Sequence, residues 1–416
     1  MALVVTIVVL LILAGVSISL ILDNNGIIQK SKEAKREYRQ AKENEQKDLF
    51  DLSDMIDDAT AEPTPKVDAN TKAEDNSTIN GKKGRANNPT IPKGYTPINT
   101  DTSTWGDGGS APTQDSVDHG LVIRDDNNNE WVWVPVDSTT LATMYETSSD
   151  EKTLCGTAVT TNQYSKSEII SGKTRTTPGT LTSDNYREPD LVVGNNGTSC
   201  DANETYYKTK LGFESKEKVA EAFVADYNEM IASISKYGGF YIGRYELSQA
   251  GVQKDEAPLT STNWYNLYKN CKELNASNKV ETRMIWGCQW DVTCNFIANK
   301  GDKKSITDSR SWGNHTDSIG PANTGNYKQD RLKNTGSNEA WKANNIYDLA
   351  GNVWEWTQEA INTGSRANRG GHYCSEGSSR PVSVRINDSP VSSFSVLRFS
   401  SHFNNKVILE CLILTV

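Results

Sequence analysis

The sequence predicts an α+β domain carried behind a long N-terminal helix. Residues 2–22, "ALVVTIVVLLILAGVSISLIL", hold no charge. Residues 27–58 keep a narrow apolar stripe on a heavily charged helical pattern. Beyond residue 116, a few helical patterns are scattered among short, aromatic-rich strands and loops. No strand–helix alternation runs through this part, which argues against a parallel α/β sheet.

At helical rise, the first run reaches roughly 32 Å, against a hydrocarbon core of about 30 Å. A buried core helix or a signal-peptide core are the other readings. The run is too long for the apolar core of a signal peptide, and no basic segment or small-residue cleavage site flanks it. A transmembrane helix over residues 1–26 is therefore expected, broken at Asp23-Asn24-Asn25-Gly26. From Ile27 onward, Ala34, Tyr38, Ala41, Leu49, Leu52 and Ile56 recur mostly at three- and four-residue steps. That stripe suits an amphipathic stalk over 27–58, or a helix partner, better than a globular core. Residues 59–115 are rich in Thr, Asn, Asp, Gly, Pro and Ser, with few aliphatics, and read as a disordered linker.

The globular part is expected over 116–416. "HGLVIRDDNNNEWVWVPV" spells a strand, an Asn-rich turn and a second strand, Trp131 to Val136. Residues 137–205 read as a long polar insertion. A helix follows from Glu214 to Lys236, with Val219, Phe223, Tyr227, Met230 and Ile234 on one face and Gly238-Gly239 at its end. "FYIGRYEL" is the next strand, and two more helices are expected at Asn263–Leu274 and Gly287–Ala298. At the C-terminus, Val407–Val416 is apolar and β-branched enough for a strand.

Ten tryptophans and sixteen tyrosines in a chain of mean hydropathy −0.61 mean that apolar material is concentrated in one region. Net charge is −9 and no Lys/Arg stripe stands free of acids, so nucleic acid is excluded as a partner. Seven cysteines form no CxxC pair, and the Cys288–Cys294 spacing fits no zinc pattern. Most read as small buried hydrophobes, with one or two disulfides left open.

Four stretches carry a specific resemblance: "GGFYIGRYELS" (238–248), "ETRMIWGCQWDVTCNFIA" (281–298), "NIYDLAGNVWEWT" (345–357) and "RGG" (369–371). Together and in this order they resemble the formylglycine-generating-enzyme/sulfatase-modifying-factor family, whose members adopt a C-type-lectin-like fold. The resemblance implies a calcium site around the third stretch, held by the side chains of Asp348 and Glu355 and the carbonyls of Gly351 and Val353. A hard cation favours such a mixture of carboxylate and carbonyl oxygens. The alternative, that Asp348 and Glu355 hydrogen-bond the loop without metal, stays open.

The enzymatic half of the resemblance is broken. The family's oxidases use two cysteines in a C-x4-C arrangement after the Gly-Gly motif, and these hold copper. Here Cys374 stands one position early, Arg380 occupies the second place, and the next cysteine is Cys411. One thiol does not supply two soft ligands to Cu(I). Histidines stand at 119, 315, 372 and 402, without ligand-like spacing. No copper, no catalytic residue and no enzymatic activity are expected, with a cysteine-oxidising enzyme as the rival reading.

Residues 368–400 resemble instead the variable region of proteins diversified by retroelements, many of which use this fold. In such regions mutated template adenines replace Asn codons on a fixed frame. His372, Tyr373, Cys374, Ser375, Val384, Ile386, Asn387, Asp388, Ser392 and Ser393 fit that pattern and are the candidate ligand-binding residues. Gly, Pro and Arg residues between them, including Ser379-Arg380-Pro381, form the frame, and Glu376 fits as frame or mismatch. Small, polar and aromatic side chains make adaptable contacts, as in antibody paratopes.

The N-terminal run resembles the helix of type IV pilin-like proteins, with Ala2 where filament pilins carry Glu and with an upstream leader expected. Lys30, Lys32, Lys35, Arg36 and Arg39 by themselves would place the C-terminal part in the cytoplasm. The linker and lectin-like domain favour the outside. The expectation is a single-pass surface protein of adhesin type that binds a protein or glycan and associates with the membrane and with pilus subunits. A structural minor pilin is a further alternative.

Overall fold

The computed structural model describes residues 63–98, 117–136, 203–274, 280–324, 332–362, 364–393 and 412–415, with short pieces at 153–154, 157–158, 191–192 and 200–201. The chain divides into two units, Met1–Ala61 and Glu62–Val416. Of the first, Lys30, Glu33, Ala34, Glu37, Tyr38 and Ala41 are described; all six are helical and exposed. The apolar run 2–22 lies outside the described residues, among which no helix is long and apolar enough to cross a membrane.

The second unit is a mixed helix and sheet structure, in the class the sequence predicts. Its main sheet takes β1 (Thr96–Pro97), β2 (Val122–Arg124), β3 (Glu130–Pro135), β4 (Gly239–Gly243), β5 (Glu281–Met284) and a C-terminal strand, β9 (Leu412–Thr415). The order is β1-β2-β3-β4-β9-β5, with antiparallel pairing throughout. The β2–β3 turn closes because Asp125 Oδ1 accepts from the amides of Asn127 and Asn129, while Asn128 adopts a left-handed φ of 64°. β9 lies between β4 and β5, pairing Ile413 with Ile242 and with Arg283. The last residues of the chain thus join two parts of the sheet.

Three helices flank it: α1 (Lys216–Tyr237), α2 (Trp264–Glu273) and α3 (Gly287–Asn299). α1 starts where the Ser215 side chain accepts from Lys218 N and stops at Gly238, left-handed at φ 76°. Its buried face includes Val219, Phe223, Tyr227, Met230 and Ile234, the five positions expected from spacing. α2 is capped by Asn263, which accepts from Asn266 N. At the start of α3, Gln289 Oε1 accepts from the Trp286 amide. Nine tryptophans are at most 2% exposed, so the concentrated apolar material is indeed a core.

Residues 63–98 correct the linker expectation. Val67, Ala73, Ile79, Ile91 and Tyr95 belong to the main apolar core, and Ile98 to the second cluster. Trp133 Nε1 donates to Ala86 O, and the Tyr241 hydroxyl donates to Thr90 O, so β3 and β4 hold this segment directly. It is polar in composition, but a few anchors and its own turns suffice to order it. Residues 99–116 lie outside the described residues, as does nearly all of the 137–205 insertion. At the insertion's end, Val192 N donates to the buried Asp201 carboxylate, which pairs with Arg366 and accepts from the Tyr265 hydroxyl.

A second sheet carries the candidate site. It consists of β6 (Glu355–Asn362), β7 (Ser365–Arg369) and β8 (Ile386–Asp388), all antiparallel. Between β7 and β8 the chain makes the excursion 370–385.

Candidate ligand-binding face

The excursion begins with Gly370 and Gly371, both at φ +84°. A Cβ on Gly370 would lie 2.1 Å from Glu355 Oε2, and one on Gly371 would lie 2.5 Å from Arg380 O. Both conformation and space exclude a side chain here. The chain therefore turns out of β7 at a fixed place.

Arg369 and Arg385 bracket the excursion and tie it to the core. Arg369 Nη2 donates to Asp291 Oδ1 at 2.7 Å, and its Nη1 lies 3.6 Å from Glu359 Oε2. Arg385 donates to Asp291 Oδ2 and through Nε to Glu359 Oε1 at 3.1 Å. Two cations and two carboxylates thus share one site, each side chain no more than 5% exposed. Burial works against the Arg385 charge, but Asp291 and Glu359 outweigh it and hold the guanidinium above its ordinary range. Further along β7, Arg366 lies 4.0 Å over the Trp264 ring.

The expected contact residues separate by burial. Cys374, Asn387 and Ser393 are exposed; Ser375, Val384, Ile386, Asp388 and Ser392 are half-buried. His372 and Tyr373 depart from expectation, since both are buried. The His372 ring meets Trp354 edge-on at 5.6 Å, and its Nδ1 accepts from Cys374 N. Tyr373 N donates to Asn352 O. These two side chains line the underside of the excursion, not its surface. Val384 and Ile386 pack against the core with their inner sides, and Asp388 accepts from Asn368 Nδ2 at 2.8 Å.

Ser379 and Arg380, expected as frame, are exposed instead, as are Ser378 and Glu376, the last read as frame or mismatch. The surface of the excursion is therefore Cys374 to Glu376, Ser378 to Arg380, and Asn387 on β8. Partners that hold it, such as Asp291, Glu359, Ser309 and Asp317, come from distant segments. Buried arginines at 369 and 385 demand acids; no local pattern says which.

Beneath this face lies an acidic group. Asp348 and Glu355 are fully buried, and Glu246 is 3% exposed. Asp348 Oδ2 accepts from Gly336 N at 2.7 Å, while Asp348 Oδ1 and both Glu355 oxygens are buried without a hydrogen-bond partner. Glu246 accepts from Val353 N and Asn352 Nδ2, holding the loop of the third motif from a strand-end residue that sequence reasoning missed. Burial pushes all three carboxyls up, Asp348 to about 7, and their mutual repulsion pushes Glu246 and Glu355 further. Orphaned oxygens of this kind fit a hard cation held by Asp348, Glu355 and the Gly351 and Val353 carbonyls. Among the described residues, no group of three His, Cys, Asp or Glu side chains could hold a metal ion by itself.

For copper the donor set does not fit. Cys374 is exposed and in no disulfide, Arg380 stands where a second cysteine is required, and Cys155 and Cys411 lie outside the described residues.

Residues 203–398 match the family profile "Sulfatase-modifying factor enzyme 1-like domain". The resemblance read from the four motifs is thereby shown, over somewhat less than half the chain. Among solved structures, "Treponema denticola variable protein 1" is similar at 17% identity and a TM-score of 0.30. The match covers 43% of this chain and 85% of that one. No curated protein matches the chain.

Proposed function

We propose that the sulfatase-modifying-factor-like domain is a non-catalytic binding module whose face at 374–380 and 386–393 contacts a protein or glycan. One observation supports this above others: the segment divides into a buried, ion-paired frame and a cluster of exposed side chains. Arg369, Gly370, Gly371, Val382, Ser383 and Arg385 are buried, whereas Cys374, Glu376, Ser378, Ser379, Arg380, Asn387 and Ser393 are exposed. A rigid scaffold of this type lets surface side chains change without unfolding the core. Retroelement diversification of those positions is part of the same reading.

The domain is displayed outside the cell in this proposal. In it the apolar run 2–22 is the membrane anchor, the charged segment 27–58 is the expected stalk, and pilus subunits are further partners. Calcium is proposed at Asp348, Glu355, Gly351 and Val353, where it would offset buried carboxylate charge and rigidify the loop beneath the face.

The test combines alanine at Cys374, Glu376, Asn387 and Ser393 in the full chain, probed on arrays of glycans and surface proteins. Binding that vanishes with unchanged thermal stability supports the proposal. Binding that survives the quadruple variant overturns it. The rival is a cysteine-to-formylglycine oxidase, for which the family match and exposed Cys374 speak. It requires stoichiometric Cu(I) binding and loss of activity in Cys374→Ser.

A further inference from the structure

The exposed excursion is held by segment 309–317, and almost wholly through peptide groups. Ser309 N donates to Gly377 O at 3.1 Å, and Thr316 N donates to Ser375 O at 2.9 Å. Asp317 Oδ1 accepts from Gly377 N at 2.5 Å, and Asp317 Oδ2 accepts from Ser378 N at 3.3 Å. Ser309 Oγ accepts from Val382 N at 2.8 Å. The bond from Ser378 Oγ to Asp317 Oδ2, at 2.7 Å, uses a side chain of the excursion.

The excursion's own turns are made largely by backbone, with two side-chain contributions: His372 Nδ1 accepts from Cys374 N, and Ser379 Oγ lies 3.5 Å from Glu376 O and Oε2. Ser375 N donates to His372 O, and the amides of Ser379 and Arg380 donate to Glu376 O. Gly377 faces inward: a Cβ there would lie 2.6 Å from the buried His315 ring and 3.1 Å from Arg310 N. By contrast Cys374, Glu376, Ser379 and Arg380 point to solvent.

Peptide groups are the same whatever residue carries them, so such contacts are blind to side-chain identity. We propose that Ser309 and Asp317, both outside the variable segment, act as positioning residues. They form a cradle that sets the backbone of 375–382 regardless of the side chains at 374, 375, 376, 379 and 380. This deepens the binding-module reading and rests on it. It assigns three classes of position: those fixed by space (371 and 377), those that grip (309 and 317), and those free to vary. Asp317 is the stronger grip because an ionised carboxylate accepts amide bonds more strongly than a neutral oxygen.

The experiment uses the full chain and needs no ligand. A triple variant, Cys374→Asn, Ser375→Tyr and Glu376→Thr, is made with and without Asp317→Ala. Amide hydrogen exchange at Gly377, Ser378 and Val382 is read alongside the urea midpoint. With Asp317 present, the triple variant should keep exchange rates within about threefold of the starting protein. Asp317→Ala should speed exchange at Gly377 and Ser378 at least tenfold while amides of α3 stay unchanged. Asp317→Asn, which keeps one acceptor oxygen, should fall between. Cys374 reactivity toward a neutral aromatic disulfide should change in Asp317→Ala as well.

The cradle is overturned if the triple variant loses protection with Asp317 intact, or if Asp317→Ala keeps it. Were Asp317→Ala to unfold the domain, Asp317→Asn decides by the same local readout. None of these measurements involves a ligand, so they separate failure of the cradle from failure of the binding reading, which the arrays test.

Discussion

Replacing Arg385 by Met asks whether the buried ion quartet is the frame of the binding face. The substitution leaves Asp291 and Glu359 with Arg369 alone, so the site carries one net negative charge inside the core. Removing one partner of a buried pair costs about 3–5 kcal/mol, because an uncompensated charge is left behind. Arg369 still reaches Asp291 at 2.7 Å and approaches Glu359 at 3.6 Å, which sets the expectation at the lower end, about 3 kcal/mol. That corresponds to a fall in Tm on the order of 5–10 °C. Urea unfolding followed by tryptophan fluorescence measures it, since the buried tryptophans include Trp290, 5.7 Å from the Arg369 guanidinium. Cys374→Ser, on the exposed surface, should stay within about 0.5 kcal/mol. Adding Asp291→Leu to Arg385→Met removes one charge of each sign and should recover part of the loss. An Arg385→Met cost below about 1 kcal/mol, or a Cys374→Ser cost equal to it, would refute the division into frame and surface.

Further outcomes test other parts of the structure. Without a cation, the raised Asp348 carboxyl makes stability greatest below its ordinary pKa of 3.8 and lost progressively as pH rises through about 7. Added calcium should therefore raise Tm at pH 7–8 and lose its effect as the medium is made acid, and Glu355→Gln should blunt the response, as scanning calorimetry can record. At Asp317, burial acts upward but is outweighed by hydrogen bonds from Ser378 and Gly377, which hold the carboxyl below its ordinary value. Its contribution is present above that value and lost as pH falls through the depressed one, so exchange at Gly377 should accelerate only in strongly acid solution. Gly370→Ala places a Cβ 2.1 Å from Glu355 Oε2 at φ +84° and should cost about 2–3 kcal/mol in urea unfolding. Truncation after Cys411 removes β9, and the loss of cooperative unfolding in calorimetry is expected because, among the described residues, β9 is the strand that joins β4 to β5 in this sheet.

What was legible in the chain follows from how each element declares itself. α1 announces its buried face through regular spacing, and the structure buries the same five residues. α2 and α3 lie within a residue or two of the ranges read from pattern. Apolar, β-branched character identified a strand near the C-terminus, and β9 occupies 412–415. Its position between β4 and β5 was not legible, because pairing order is a property of the assembled sheet. Residues 63–98 escaped for the opposite reason. Their buried side chains, Val67, Ala73, Ile79, Ile91 and Tyr95, are too sparse for any periodicity, and they join a core shared with residues far along the chain. Within the site, Arg369-Gly370-Gly371 was legible as fixed frame, while the left-handed φ of its two glycines came from the structure. The inward placement of His372 and Tyr373 was not, since an irregular excursion has no period from which to infer direction.

In the proposed reading, the same distinction would let the face accept substitution. A regular strand would bury alternate side chains, and a replacement at half its positions would enter the core. The excursion 370–385 instead leaves the sheet at two glycines and is braced at both ends by arginines that pair with Asp291 and Glu359. Between those braces its peptide groups, not its side chains, make nearly all the contacts with segment 309–317. Side-chain identity is thereby uncoupled from loop shape over the stretch that faces solvent. A catalytic site needs the reverse coupling, because reacting groups must be held to fractions of an ångström by their neighbours. Cys374, exposed and fixed through its amide to His372 Nδ1, has its backbone placed, while its thiol faces solvent. In the proposed reading that arrangement serves contact with a partner, whereas the rival oxidase reading requires a second thiolate beside Cys374 on one metal.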